Sequence, residues 1–183
     1  SGALTGKRPK RKSRTSQVCV HPEETALQPN KPAVIEALHA AAAHALETAE
    51  QAQAIAQSEA TSPESKAEGK YDTRATGASY LARGQAERVA SMRTLVTWYR
   101  RLPRDLTSDT VSLGALVTIE GERQDTLFIA PSGGERITVD GHEVMTISLA
   151  APLGQAMVGL EEGDDFDVSR PHGTETYEVI QVQ

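Results

Sequence analysis

From Ile35 onward, apolar residues recur at steps of three and four without a break: Ile35, Leu38, Ala42, Ala45, Ala49, Ala52 and Ala56. A stripe this narrow commits the segment to a long helix that needs a second helix to cover it. A partner lies further along the chain. Ala75, Ala78, Ala82, Gln85, Val89, Met92, Val96 and Tyr99 make a second seam, with Leu81 and Leu95 alongside, and Pro103 stops it. Pro32 suits a first helical turn, and Ala, Glu and Gln fill the other faces with strong helix formers. The spacing predicts helices over residues 32–60 and 66–102, joined by the breaker Thr61-Ser62-Pro63. Two seams of similar length around a short break describe an antiparallel coiled-coil hairpin, each arm roughly 40 Å long at about 1.5 Å per residue.

The first helix and the distal part of the second are alanine-rich, and Gly69, Gly77 and Gly84 fall in the same region, so close approach of the two backbones is expected there. Bulk returns with Met92, Leu95, Trp98 and Tyr99, which face Ile35 and Leu38 in the antiparallel register and can anchor the hairpin to another domain. Gln85 reads as a polar residue that sets the register.

Beyond Arg104 the period shortens to two. Strands are expected at Ala115–Glu120, Thr126–Ile129, Arg136–Val139, Glu143–Ile147, Phe166–Val168 and Thr176–Val182. Turns are expected at Gly121, Pro131-Ser132-Gly133-Gly134, Asp140-Gly141 and Pro171-His172-Gly173, with Asp140-Gly141 the signature of a tight β-hairpin. One helical piece, Pro152–Val158, interrupts the strands and is closed by Gly159. The fold class is α+β, divided into a tail (1–30), a helical hairpin (31–104) and a small β-rich domain (108–183).

The net charge of −6 is unevenly spread: residues 1–30 carry +4, residues 31–107 carry +1, and residues 108–183 carry −11. The C-terminal part is therefore unsuited to duplex DNA, which needs clustered Lys and Arg, and suits a basic protein. The tail, with six cations and no aromatic residue, is expected to be disordered; its Ser-Gly opening suggests a partly artificial terminus. Cys19 is the single cysteine, which excludes a disulfide framework and a cysteine-rich zinc site and fits a reducing, cytoplasmic setting. No apolar run approaches the roughly 20 residues that span a bilayer. His39, His44, His142 and His172 join no metal-binding or nucleophilic constellation, and Asp164, Asp165 and Asp167 read as a solvated acidic turn.

The block Ile147-Ser148-Leu149-Ala150-Ala151-Pro152-Leu153-Gly154-Gln155-Ala156-Met157-Val158-Gly159-Leu160-Glu161-Glu162-Gly163-Asp164 resembles the strand, Ser-Pro, short helix, Gly and Gly-Asp segment of bacterial Gre-type transcript cleavage factors (the GreA/GreB family). Ala151 stands where the family usually has Ser, and Leu160 where it often has Lys. The order of parts is similar too, a helical hairpin followed by a small FKBP-like domain running from Val111-Ser112-Leu113-Gly114 to Tyr177-Glu178-Val179-Ile180. The resemblance covers residues 31–183.

The resemblance implies a transcription elongation factor that binds bacterial RNA polymerase as a monomer, inserts the hairpin into its secondary channel and contacts RNA and DNA only indirectly. In such factors, tip carboxylates help the polymerase hold a second Mg²⁺ and a water, so that backtracked RNA is cut; the factor is not itself an enzyme and keeps no tightly bound cofactor. The chemistry needs oxygen ligands because Mg²⁺ is a hard cation. Carried over, the resemblance implies Glu64 and Glu68 as Mg²⁺ ligands, with Asp72 assisting catalysis. Aligning Tyr71 with the family's tip tyrosine puts Glu64 at its Asp but Ala67 at its Glu, with Glu68 one place beyond. Glu64, Glu68 and Asp72 are four apart and share one face of a continuous helix; Lys66, Lys70 and Arg74 form a parallel basic stripe, which is also the pattern of a plain solvated face. Two alternatives stand beside cleavage stimulation. One is a channel-occupying regulator without cleavage activity. The other is a prolyl isomerase, which would need an aromatic-lined pocket from Phe128, Phe166 and Tyr177, residues the core is expected to use.

Overall fold

The computed structural model describes residues 29–61, 73–171 and 173–183. The basic tail with Cys19, the segment 62–72 with Glu64, Glu68 and Asp72, and His172 lie outside the described residues.

Helix α1 (Lys31–Thr61) and helix α2 (Thr73–Arg101) pair along their lengths. They run antiparallel: Leu38 and Ala42 of α1 share a cleft with Leu95 and Tyr99 of α2, and further out Arg93 reaches Glu50 at 2.7 Å. The seam follows the heptad reading at Ile35, Leu38, Ala49 and Ala56 on α1 and at Val89, Val96 and Tyr99 on α2, all buried. Ala42, Ala45, Ala82, Met92, Leu95 and Gln85 are half-buried beside them. Ala52 departs from the expectation and is exposed, while its neighbour Gln53 is half-buried. A nearly straight helix drifts about 20° per heptad from a strict seven-residue repeat, and a methyl group is too short to reach back across that drift. Leu81 is exposed as well.

Gly77 and Gly84 do not bring the backbones together, and Gly69 lies outside the described residues. Gly77 and Gly84 are exposed, and a Cβ added at either would meet no heavy atom within 4 Å. They lie on the outer face, where glycine only loosens the helix.

The β domain is one six-stranded sheet of β1 (Leu116–Glu120), β2 (Gln124–Ala130), β3 (Arg136–Val139), β4 (His142–Ser148), β5 (Asp165–Arg170) and β6 (Gly173–Val182), in spatial order β3-β4-β2-β1-β6-β5. All six expected strands are present. The pairings are antiparallel except β2 with β4, which run parallel because the chain crosses to edge strand β3 before returning beside β2. The β3–β4 return is the expected two-residue hairpin: Val139 pairs with His142, and both Asp140 (φ 51°) and Gly141 (φ 83°) take positive φ. The short helix α3 (Pro152–Met157) links β4 to β5.

The near-continuous apolar runs Leu116-Val117-Thr118-Ile119 and Leu127-Phe128-Ile129-Ala130 reflect burial on both faces of the sheet. Val117, Ile119, Leu127, Ile129, Val168 and Val179 point to a core closed by Met157 of α3. Leu116, Phe128, Ala130 and Val144 point the other way, onto Val34, Ile35, Leu38 and Tyr99 at the base of the arm.

Because Gly84 has open space around it and lies inside a helix, Gly84→Ala is expected to raise stability by about 1 kcal/mol, read as an upward shift of the thermal unfolding midpoint.

Candidate functional site: the arm and the junction that aims it

Each helix of the arm is close to 30 residues long, so the ends at Thr61 and Thr73 stand roughly 40 Å from the sheet at 1.5 Å per residue. The sequence between those ends carries Glu64, Glu68 and Asp72, the residues implied as Mg²⁺ ligands and catalytic assistants, and they fall outside the described residues. Among the described residues no group of three or more His, Cys, Asp or Glu side chains could hold a metal ion. No described helix is long and apolar enough to cross a membrane.

The described part of the arm presents apolar groups outward. Ile55 on α1 and Tyr80 and Leu81 on α2 are 61, 72 and 54% exposed. The antiparallel register that sets Ala42 against Leu95 carries Ile55 to about the level of Leu81. These three residues thus lie at a similar height on the distal third of the arm.

The junction holds the arm to the sheet in three ways. Val34, Ile35 and Leu38 are almost wholly excluded from water in the first turns of α1. Trp98 and Tyr99 meet edge to face at 5.0 Å, and Phe128 of β2 lies 6.4 and 6.3 Å from their ring centres. Lys31, at the first position of α1, is 4% exposed and donates from Nζ to the main-chain oxygens of Leu106 and Gln183, each at 2.7 Å. That ammonium ties the start of the arm to the linker after α2 and to the end of β6. Burial pushes its pKa below the ordinary lysine value. Sequence reading passed over Lys31, which nothing in composition or spacing marks as buried.

The block from Ile147 to Asp164 folds as a compact brace under the sheet. Gly154 sits so close to the preceding turn that a Cβ there would collide with the Ser148 carbonyl oxygen, which explains the glycine in the middle of a short helix. Gly159 (φ 79°) and Gly163 (φ 90°) take left-handed turns on either side of Leu160. The Gly159 N–H donates to Val111 O, and the Val111 N–H donates to Leu160 O, both at 2.8 Å, so the brace also pins the strand entry. Ala151 occupies the N-cap of α3 in extended conformation with no side-chain cap.

The aromatic residues of the β domain are used in packing. Phe128 is buried in the junction, and Phe166 stacks on Tyr177 at 5.5 Å. The Tyr177 hydroxyl donates to Glu175 Oε2 at 2.5 Å, and Arg170 bonds to both. Hydrogen bonding to the Glu175 carboxylate, followed by burial, raises the Tyr177 pKa, while the same hydroxyl lowers that of Glu175. All three arginines of the domain are satisfied within it: Arg123 by Asp125, Arg136 by Glu143 and Arg170 by Glu175, at 2.8–3.1 Å. Glu120, Glu178 and Asp165 stand opposite one another across β1, β6 and β5, an exposed row of like charge. Like charges so placed weaken a sheet, and the row keeps the negative field facing outward.

Fold and junction define a class of protein: a long, thin two-helix arm braced on an acidic β domain. Comparison with known proteins shows what the chain is similar to. Residues 106–183 match the family model for the C-terminal part of the transcription elongation factors GreA and GreB. GreA of Desulfovibrio desulfuricans is 33% identical over 105 residues, covering 54% of this chain and 61% of that protein. GreA of Rhodospirillum rubrum is 34% identical over 80 residues, covering 43% and 48%. The chain thus spans from about half to three fifths of the length of the curated relatives it matches. Among solved structures, GreA factor homolog 1 (Gfh1) of Thermus thermophilus is 19% identical, covers 81% of this chain and 96% of its own, and superposes with a TM-score of 0.35. A GreA/GreB factor from Nitrosomonas europaea is 21% identical, covers 51% and 79%, and has a TM-score of 0.31. The chain resembles the Gre-type elongation factors in its C-terminal domain.

Two outcomes follow from the junction and the brace. Ala151→Ser, which supplies a side-chain acceptor at an N-cap already in the right conformation, should stabilise the protein by about 1 kcal/mol in chemical denaturation. Burial, helped by the charge of Glu135, pushes the Tyr99 phenol up to about 12. The unfolded phenol ionises near 10, so this contribution to stability is full below about pH 10 and is lost as pH rises towards 12. Titration of unfolding free energy against pH should show that alkaline decline in the parent protein, and a shallower one in Tyr99→Phe.

Proposed function

We propose that this protein is a transcription elongation factor that binds bacterial RNA polymerase, reaches through the secondary channel with its helical arm and stimulates Mg²⁺-dependent cleavage of backtracked RNA. The observation that carries the reading is the GreA/GreB-type domain at residues 106–183, joined in the same chain to a long antiparallel arm. The junction supports it physically. An arm clamped at Lys31 and wedged by three aromatic rings transmits the position of the β domain to its far end, as delivery of side chains at a distance requires. The exposed Ile55, Tyr80 and Leu81 suit an arm enclosed by protein rather than standing in water. In this reading Glu64 and Glu68 would supply oxygens to a Mg²⁺ shared with the polymerase, Asp72 would assist from the same segment, and of the two ions in such a site one would activate water and the other stabilise the leaving oxygen.

A second reading rests on one observation, that Ala67 stands where the family carries its tip Glu. It keeps the partner and the channel but makes the protein a regulator without cleavage activity. A backtracked complex of the cognate polymerase separates the two. Cleavage stimulation predicts Mg²⁺-dependent shortening of the RNA, reduced by at least about a hundredfold in the double variant Glu64→Ala, Glu68→Ala. RNA of unchanged length with altered pausing or initiation selects the regulator, and failure to bind the polymerase sinks both.

A further inference from the structure

Between the base of the arm and the loop joining β2 to β3 lies a cleft of about 710 Å³. Leu38 and Ala42 of α1, Met92 and Trp98 of α2, and Pro131 and Glu135 of the loop form its walls. The lining is mostly hydrocarbon and aromatic, and Glu135 is its one ionised group. No cation among the described residues lies within ion-pair distance of the Glu135 carboxylate, although the domain's three arginines are each paired with another acid.

The loop that carries Glu135 is held in place. Gly134 N–H donates to the Thr146 carbonyl at 2.9 Å, Thr146 N–H donates to the Glu135 carbonyl at 2.8 Å, and Glu135 N–H donates to Thr146 Oγ1 at 2.9 Å. Thr146 is itself buried. Gly133 lies so close to β4 that a Cβ there would be 2.9 Å from Ser148 N. The carboxylate is thus carried on a fixed backbone at a cleft that Trp98 also lines.

An aromatic face, an apolar floor and one unpaired carboxylate are complementary to a cation with a hydrocarbon stem. Guanidinium fits best, because it is planar, stacks on aromatic faces, sheds water more readily than ammonium and forks onto a carboxylate. The cleft is far larger than one side chain, so it has room for the backbone that would present it. The charge of −11 on residues 108–183 attracts a basic protein surface to this side of the molecule.

We propose that this cleft receives an arginine side chain from a basic partner protein, stacked on Trp98 and paired with Glu135. The proposal does not depend on what the arm tip does, so loss of RNA cleavage would leave it standing.

Trp98 is the only tryptophan in the chain, which makes its emission a direct report of occupancy. The full chain is titrated with the tripeptide acetyl-Gly-Arg-Gly-amide and with its citrulline counterpart, which keeps the shape but lacks the charge. The arginine peptide should shift Trp98 emission saturably at millimolar concentration. Citrulline, and separately Glu135→Gln, should each weaken binding by about tenfold or more. Glu135 is exposed and anchored through its backbone, so this variant keeps the fold; an unchanged far-ultraviolet spectrum confirms it. Absence of a saturable change, equal binding of the citrulline peptide, or full affinity in Glu135→Gln overturns the proposal.

Discussion

The packing of the arm base on the sheet is the contact on which the rest of the molecule depends. A sheet face bearing Leu116, Phe128, Ala130 and Val144 cannot be left in water, and neither can the first turns of α1 with Val34, Ile35 and Leu38. Each covers the other. At about 25 cal/mol per Å² of apolar surface, a joint this size contributes more than any single polar contact can. The arm is therefore not a helical hairpin tethered by a linker. Its lower turns are part of the core of the β domain, and its outer turns project from it.

This explains how side-chain size is distributed along the hairpin. Near the base, large residues fill the space between two helices and a sheet: Leu38, Leu95, Trp98 and Tyr99. Further out only two helices meet, and Ala49 and Ala56 suffice on α1, with Val89 on α2. Small residues bring helix axes close and keep the projection thin, at the expense of buried area per turn. Stability therefore falls from the base outward. Arg93–Glu50 is a solvent-exposed bridge on this outer part and adds little.

Much of this was legible in the sequence because period is a local property. The steps of three and four from Ile35 and the alternation after Arg104 located both helices and all six strands, and Asp140-Gly141 named its own turn. What the sequence withheld depends on distant parts meeting. The parallel pairing of β2 with β4 requires knowing that β3 goes to the edge. Lys31 is buried only because Leu106 and Gln183, 75 and 152 positions away, offer oxygens to it. The close backbone approach expected from glycines beside the seam fails at Gly77 and Gly84 because they lie on the outer face. Ala151 was visible as a missing hydroxyl, but its cost became clear only when its backbone proved to be that of an N-cap. Glu64, Glu68 and Asp72 lie outside the described residues.

The charge layout links the two ends of the molecule. With Arg123, Arg136 and Arg170 each neutralised inside the β domain, its remaining carboxylates have no ion-pair partner among the described residues. Such a field acts over about a Debye length, near 8 Å at physiological salt, which is far short of the arm. The field of the β domain therefore ends well short of the far end of the arm, some 40 Å away. Mechanical connection through the Lys31 clamp and the aromatic wedge is then what ties the position of one end to that of the other. The junction keeps the acidic domain and the helices in fixed relation.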